Sequence, residues 1–198
     1  MARVLGVVGC AASGVESLRT GLVEPALRDG WRVAVTLTPT AATWLRSTGE
    51  LERIEALTGL PVRDGPRLPT DARPHPPVDC YAIVPATANT VAKLALGLGD
   101  NQALTQVSEA IGTRGVTVVV FPRINAAHVR HPAWPHHLAA LEQAGVRLIY
   151  GDDVWPLHEP RSEPDRDLPW TSILDAIRAA RFGEISDQDS AIPPNLSP

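Results

Sequence analysis

Apolar runs of strand length alternating with helical stretches predict a single α/β domain with a doubly wound, mostly parallel sheet. Three observations carry this. The runs at 3–9, 31–38, 79–85, 115–122 and 146–150 are largely apolar, as strands covered on both faces are. The segments between them place apolar residues at helical spacing. Four of the strand ends open into turns rich in small or hydroxyl residues, where such sheets bind ligands.

In chain order, "RVLGVVG" predicts a central strand, and "GCAASG" a tight turn. A helical stretch over 13–29 follows, with Val15, Leu18, Leu22 and Ala26 on one stripe and Pro25 as a kink. Gly30 ends it and "WRVAVTLT" is the second strand. Pro39 suits the first turn of the next helix, and "GELERIEALTG" reads as another. Residues 61–78 hold six prolines and read as irregular. After "DCYAIVP", helices are expected over 87–98 and 102–112, then the strand "GVTVVVFP", a helix over 132–145 and the strand "VRLIY". Residues 151–168 are polar and proline-rich, and "WTSILDAIRAARF" is a last helix. About five strands suit a flavodoxin-like or Rossmann-like three-layer domain over 1–182. Residues 183–198, poor in apolar side chains, are expected to be a disordered tail.

The chain has 198 residues, 44% hydrophobic and 20% charged, with net charge -4. That charge gives no general pull toward nucleic acid or anionic membrane. No apolar run reaches the roughly 20 residues needed to span a bilayer. Two cysteines, Cys10 and Cys80, make neither a disulfide framework nor a zinc site, so the cytoplasm is the expected compartment.

The chemistry is expected in "GCAASG", "TPTA", "PATANT" and "PRINAAH". Small residues admit a flat ring or a phosphate, and hydroxyls and free N–H groups at helix starts hold an anion. The first turn lacks both G-x-G-x-x-G and G-x-x-x-x-G-K-[ST], so a mononucleotide fits better than a dinucleotide or a nucleoside triphosphate.

The stretch "PATANTVAKLALGLGDN", residues 85–101 with Lys93 as the chain's only lysine, resembles the central box of the homo-oligomeric flavin-containing cysteine decarboxylases. That family includes phosphopantothenoylcysteine decarboxylase and the lantibiotic peptidyl-cysteine decarboxylases, with prenyl-FMN synthases as more distant relatives. Thr87 stands at the box's serine. The similarity continues through "VLGVVGCAASG" and through "VTLTPTAATW", where Thr38, Ala41 and Trp44 keep the family's T-x-x-A-x-x-F spacing. The resemblance implies FMN, with Gly9, Cys10, Ala11 and Ser13 in the first turn and Thr38 after the second strand. It puts Ala86, Thr87 and Ala88 beside the isoalloxazine plane, and Asn89 and Thr90 at the helix start. It also implies a homo-oligomer, a homotrimer or a dodecamer of trimers, with FMN at a subunit interface. Read alone, "TANT" is equally an N-cap cluster, and Lys93 a solvated or helix-packing lysine.

Departures from the family bear on catalysis. The decarboxylases carry a histidine about fourteen residues before the box proline. An ungapped count lands on Asp71, and the nearest histidine is His75, either a catalytic residue after a loop shift or an exposed loop residue. The second signature, P-x-M-N-x-x-M-W, becomes "PRINAAHV". Pro122 and Asn125 survive, with Ile124, His128 and Val129 in place of the methionines and tryptophan. Asn125 resembles the residue that holds the substrate carboxylate, and is otherwise a strand-end turn residue. No cysteine follows residue 80, where the family carries a reducing cysteine on a late loop.

His128 is a candidate general acid or base, or a surface histidine at a helix start. His128, His131, His136 and His137 are not expected to bind metal, because the adjacent pair points in different directions on a helix. Cys10 is either a reactive thiol at a helix start or a small buried residue. Arg123 and Arg130 are possible anion binders. Trp134, Trp155 and Trp170 are candidate lid or interface residues. Two functions follow: an FMN-dependent oxidation and decarboxylation of a cysteine-like thiol in a peptide or specialised metabolite, or a non-catalytic FMN carrier, sensor or complex subunit.

Overall fold

The computed structural model describes residues 2–162 and 166–182, so the expected tail at 183–198 lies outside the described residues. Five strands form one sheet: β1 Val4–Gly9, β2 Arg32–Leu37, β3 Cys80–Ala86, β4 Thr117–Pro122 and β5 Arg147–Leu148. Their order is β2-β1-β3-β4-β5 and every pairing is parallel. The order reverses between β1 and β3, which places a crevice at their carboxyl ends.

The apolar runs are explained by helices on both faces. Leu5 and Val7 of β1 join Val33, Val35, Val84 and Phe121 in one core. That face carries α1 Glu24–Arg28, α2 Pro39–Ser47, α3 Glu50–Thr58 and α8 Trp170–Phe182. Val8, Ile83, Val118 and Val120 form the opposite core. It is covered by α4 Ala88–Ala95, α5 Gln102–Ile111 and α7 Trp134–Gln143, with a short α6 at Ala126–Val129.

Local departures from the expected elements have packing causes. The expected helix over 13–29 is a 3-10 turn at Val15–Ser17, a π turn at Arg19–Val23 and then α1. Gly21 lies in the π turn, and a Cβ there would sit 2.1 Å from Trp170 Cε2, so the indole lies directly on the backbone. Pro25 falls at the start of α1, where its missing N–H costs nothing, so it does not kink a continuous helix. The fifth strand pairs over only two residues, although Ile149 N still donates to Val120 O at 2.9 Å. Trp134 and Trp155 are 4% and 5% exposed, which removes them as surface lid or interface residues of this chain.

The residues after the box close two helix ends. Lys93 pairs with Asp100 across the α4–α5 connection. Gly97, at φ 69°, supplies the left-handed residue that ends α4. Its N–H reaches Leu94 O, and Leu98 N–H reaches Lys93 O, the paired closure of a Schellman motif. Asn101 Oδ1 then accepts from Leu104 N at 3.1 Å and caps α5. Lys93 is thus tied to its own box by an ion pair. Among the described residues, no helix is long and apolar enough to cross a membrane.

Candidate functional site

Backbone bonds lace the carboxyl-end turns together. Cys10 N donates to Pro85 O, Thr38 N to Gly9 O and Arg123 N to Ala86 O, at 3.2, 3.0 and 2.8 Å. The turns after β1, β2, β3 and β4 therefore form one continuous rim. Gly9 and Ala86 are buried in it, and Ala11, Thr38, Thr87 and Ala88 are half-buried. Gly9 has little room for a side chain, since a Cβ there would meet Leu37 Cδ2 at 2.8 Å.

The polar side chains of the rim divide into two groups. Thr87 caps α4 by accepting from Thr90 N at 3.1 Å, and its hydroxyl lies 3.0 Å from that of Thr90. Thr90 Oγ1 in turn donates to Cys10 Sγ at 3.3 Å. Thr87, Thr90 and Cys10 thus support one another across the β1–β3 switch. Ser13 and Asn89 are exposed and Thr38 is half-buried; their side chains have no protein partner among the described residues. These are the groups free to hold an anion.

Burial pushes the Cys10 thiol up to about 11, against weaker opposing bonds from Thr90 and Thr87. At neutral pH it stays a neutral thiol, so the reactive-thiol alternative does not survive. Cys80 is likewise buried and pushed up to about 12 by burial. Native protein at pH 7.5 is therefore expected to react with neither equivalent of a thiol reagent on the time scale at which denatured protein titrates both. Rapid labelling of one native thiol would contradict this.

A cavity of about 440 Å³ opens at the carboxyl ends of β3 and β4. Ala88 and Ala92 of α4 form one wall, with Asn125, His128, His131 and Trp134 opposite and Pro160 above. Asn125 and His128 are locked reciprocally: Asn125 Oδ1 accepts from His128 N at 3.2 Å, and His128 Nδ1 accepts from Asn125 N at 3.5 Å. This capping box has a chemical consequence. The Asn125 carbonyl oxygen is engaged, which leaves its NH₂ as the available group. His128 Nδ1 is an acceptor, so in the neutral ring the proton sits on Nε2 and makes that atom a donor. The two side chains therefore offer donors, and among the described residues no carboxylate lines the cavity. Trp134 Nε1 donates to Tyr150 Oη at 3.3 Å, which holds the wall between α7 and β5.

The roof is tethered to α6. Ala126 N donates to His158 O at 2.9 Å, and Arg130 makes a two-pronged pair with Glu159 at 2.6 and 2.8 Å. Arg130 is thus paired with a carboxylate in an exposed ion pair. Arg123 stacks 4.9 Å from the Trp155 ring centroid.

His75 lies elsewhere. It faces a second cleft between residues 63–78 and α5, and its Nε2–H donates to Pro61 O at 2.7 Å. Burial lowers its pKa; the Pro61 carbonyl opposes this and the Arg63 charge adds to it. Within one chain, His75 is not brought to Asn125 and His128. Among the described residues, no group of three or more His, Cys, Asp or Glu side chains is arranged to hold a metal ion.

Ala92 is a wall residue absent from the sequence-based candidates, and Trp134, expected as a lid or interface residue, is a buried wall residue instead. Ala92 was within reach, because α4 places it one turn beyond Ala88.

Fold and rim together define a doubly wound α/β protein with a ligand crevice at its β1–β3 switch. A family model described as Flavoprotein matches residues 4–181, and the chain belongs to that family. It is 37% identical over 71 residues to a cysteine/cysteine sulfinic acid decarboxylase from an unknown prokaryotic organism, covering 36% of this chain and 19% of that protein. It is 29% identical over 191 residues to the coenzyme A biosynthesis bifunctional protein CoaBC of Escherichia coli (strain K12), covering 93% of this chain and 44% of that protein. The chain thus spans less than half the length of these curated relatives. Among solved structures it shares its fold with the FMN-dependent cysteine decarboxylase SpaF, with a TM-score of 0.57 and 24% identity, over 89% of this chain and 98% of that one.

Proposed function

We propose that this protein binds FMN at the carboxyl-end rim and catalyses flavin-dependent oxidation and decarboxylation of a cysteine-like thiol, in a peptide or a specialised metabolite. The observation that carries the reading is that two donors, Asn125 NH₂ and His128 Nε2–H, line one cavity walled by the box residues Ala88 and Ala92, with no carboxylate in its lining among the described residues. The rim fits the cofactor in kind: Ser13, Thr38 and Asn89 keep unclaimed polar groups, and Ala86 and Ala88 add little bulk.

Bound FMN would supply the two-electron acceptor for oxidation of the thiol-bearing carbon, after which the carboxyl group leaves as CO₂. The chain's own part is binding and orientation. Asn125 donates to the substrate carboxylate, and His128 donates from Nε2 to the atom that gains charge as CO₂ departs. Trp134 and the alanine wall keep water from that end of the cavity. His75, in the other cleft, has no part in this scheme. The working protein is read as a cytoplasmic homo-oligomer, a trimer or a dodecamer of trimers; two free, buried cysteines accord with a reducing compartment.

The test is the visible spectrum of the purified protein with mass identification of the released chromophore, followed by anaerobic mixing with a peptide ending in cysteine. Stoichiometric FMN, bleaching by the peptide and CO₂ release are expected. A colourless protein that takes up no added FMN would overturn the cofactor assignment. Bound FMN that no thiol peptide or small thiol acid bleaches would leave only the carrier reading.

A further inference from the structure

The second cleft, about 820 Å³, is larger than the cavity at Asn125 and is built differently. Residues 61–79 lead from α3 toward β3 without a helix or strand of their own. They hold three arginines, Arg63, Arg67 and Arg73, and three aspartates, Asp64, Asp71 and Asp79. All three arginines line the cleft. Each aspartate is committed elsewhere: Asp64 pairs with Arg46, Asp71 accepts from Leu68 N, and Asp79 accepts from Val4 N. The side chains of Arg63 and Arg73 have no ion-pair partner among the described residues. Glu109 is the one carboxylate among the lining residues.

Arg63 is also fixed in place. Its N–H donates to Val35 O at 3.0 Å and its carbonyl accepts from Leu37 N at 2.7 Å, so its backbone extends the edge of the sheet beside Thr36. Its guanidinium is partly buried, and burial lowers its pKa; Tyr81 opposes this, and the Arg67 charge adds to it. Arg63 likewise lowers the pKa of His75, which favours the neutral imidazole and leaves the arginines as the cations of the cleft. A guanidinium beside a second arginine, with the aspartates of its own segment engaged elsewhere, is relieved by an anion. Planar guanidinium groups match carboxylate and phosphate oxygens in pairs. Tyr81 and the prolines of the segment line the rest of the cleft, a surface suited to an apolar or planar body.

We propose that this cleft is a binding site for a small organic anion, whose carboxylate or phosphate head is held by Arg63 and Arg73 and whose body lies against Tyr81 and the proline segment. Within one chain this cleft is separate from the cavity at Asn125, and its assignment does not depend on the flavin reading. The test uses the full chain with whatever flavin it carries, at constant ionic strength, followed by amide chemical shifts. Adenosine 5′-monophosphate, citrate and inorganic phosphate serve as probes. The first two distinguish a phosphate head from a carboxylate head, and the third shows what a head without a body achieves.

Saturable shifts over 61–79 and 102–113 are expected. Replacing Arg63→Ala together with Arg73→Ala should weaken binding at least about tenfold, and Arg114→Ala, outside the cleft, should leave it unchanged. Arg63→Gln alone, which keeps the backbone bridge, gives the same direction if the double variant does not fold. Shifts that fail to saturate with all three probes, or that survive both arginine changes, would overturn the proposal. So would amide protection across 66–77 that grows with protein concentration and ignores all three anions, because a second copy of the chain would then occupy the cleft.

Discussion

Replacing Asn125→Asp is expected to cut CO₂ release from a peptide ending in cysteine by about a hundredfold or more while leaving thermal stability nearly unchanged. The two effects separate because Asn125 does two jobs with two ends of one amide. Its Oδ1 caps α6 by accepting from His128 N. Aspartate caps at least as well and adds a charge of the sign favoured at a helix start. The melting temperature should therefore stay within about 2 °C, the shift expected from a half-kilocalorie change in a chain of this size. The NH₂ end has no substitute in aspartate. A donor becomes an acceptor, and a carboxylate enters a cavity whose described lining has none. A substrate carboxylate placed there would meet a like charge. Asn125→Ala is the useful contrast: it loses the donor and the cap together, with about 1 kcal/mol of stability. If Asn125→Asp keeps activity within about threefold, the residue is a cap and nothing more, and the donor pair does not hold substrate.

Much of this site was legible in the sequence because it depends on local chemistry repeated at equivalent places. A strand that ends in small and hydroxyl residues, four times over, says where a parallel sheet keeps its ligand. Asn125 and His128 were legible as residues, but their locking was not, since a capping box with histidine at its third position follows no common pattern. Lys93 drew attention by rarity, yet its partner Asp100 lies seven residues away across a turn whose geometry Gly97 sets. The second cleft was not legible at all. Residues 61–78 have no helical or strand period, so nothing in their order says which arginine faces inward. That depends on Thr36 and Arg63 meeting at the sheet edge, and on Thr36 Oγ1 donating to Gln106 Oε1 at 3.0 Å to hold α5 beside β2. Such facts come from contacts distant in sequence.

Trp155 shows the same limit and leads to the largest expected loss of stability, at Phe121. A tryptophan in a polar, proline-rich segment suggests a surface lid. Instead its ring meets Phe121 edge to face, with centroids 5.8 Å apart and planes at 88°. The Arg166 guanidinium lies 3.5 Å from the same ring. Phe121 is fully buried in β4, so this contact anchors the segment after β5 to the sheet. Phe121→Ala removes the ring's burial and leaves a cavity, a loss of about 3–5 kcal/mol. At the entropy of unfolding of a chain this long, that lowers the melting temperature by about 10 °C, measured at one protein concentration. The Arg130–Glu159 pair, more than half exposed on both sides, cannot hold the segment alone, because solvent screens exposed pairs. Pro160 in the roof should therefore loosen, so Phe121→Ala should weaken substrate binding as well as stability. Arg130→Ala should change the melting temperature by less than about 2 °C. A drop under about 3 °C for Phe121→Ala would show that the aromatic contact does not anchor the segment, and that something other than Trp155 keeps the roof over Asn125.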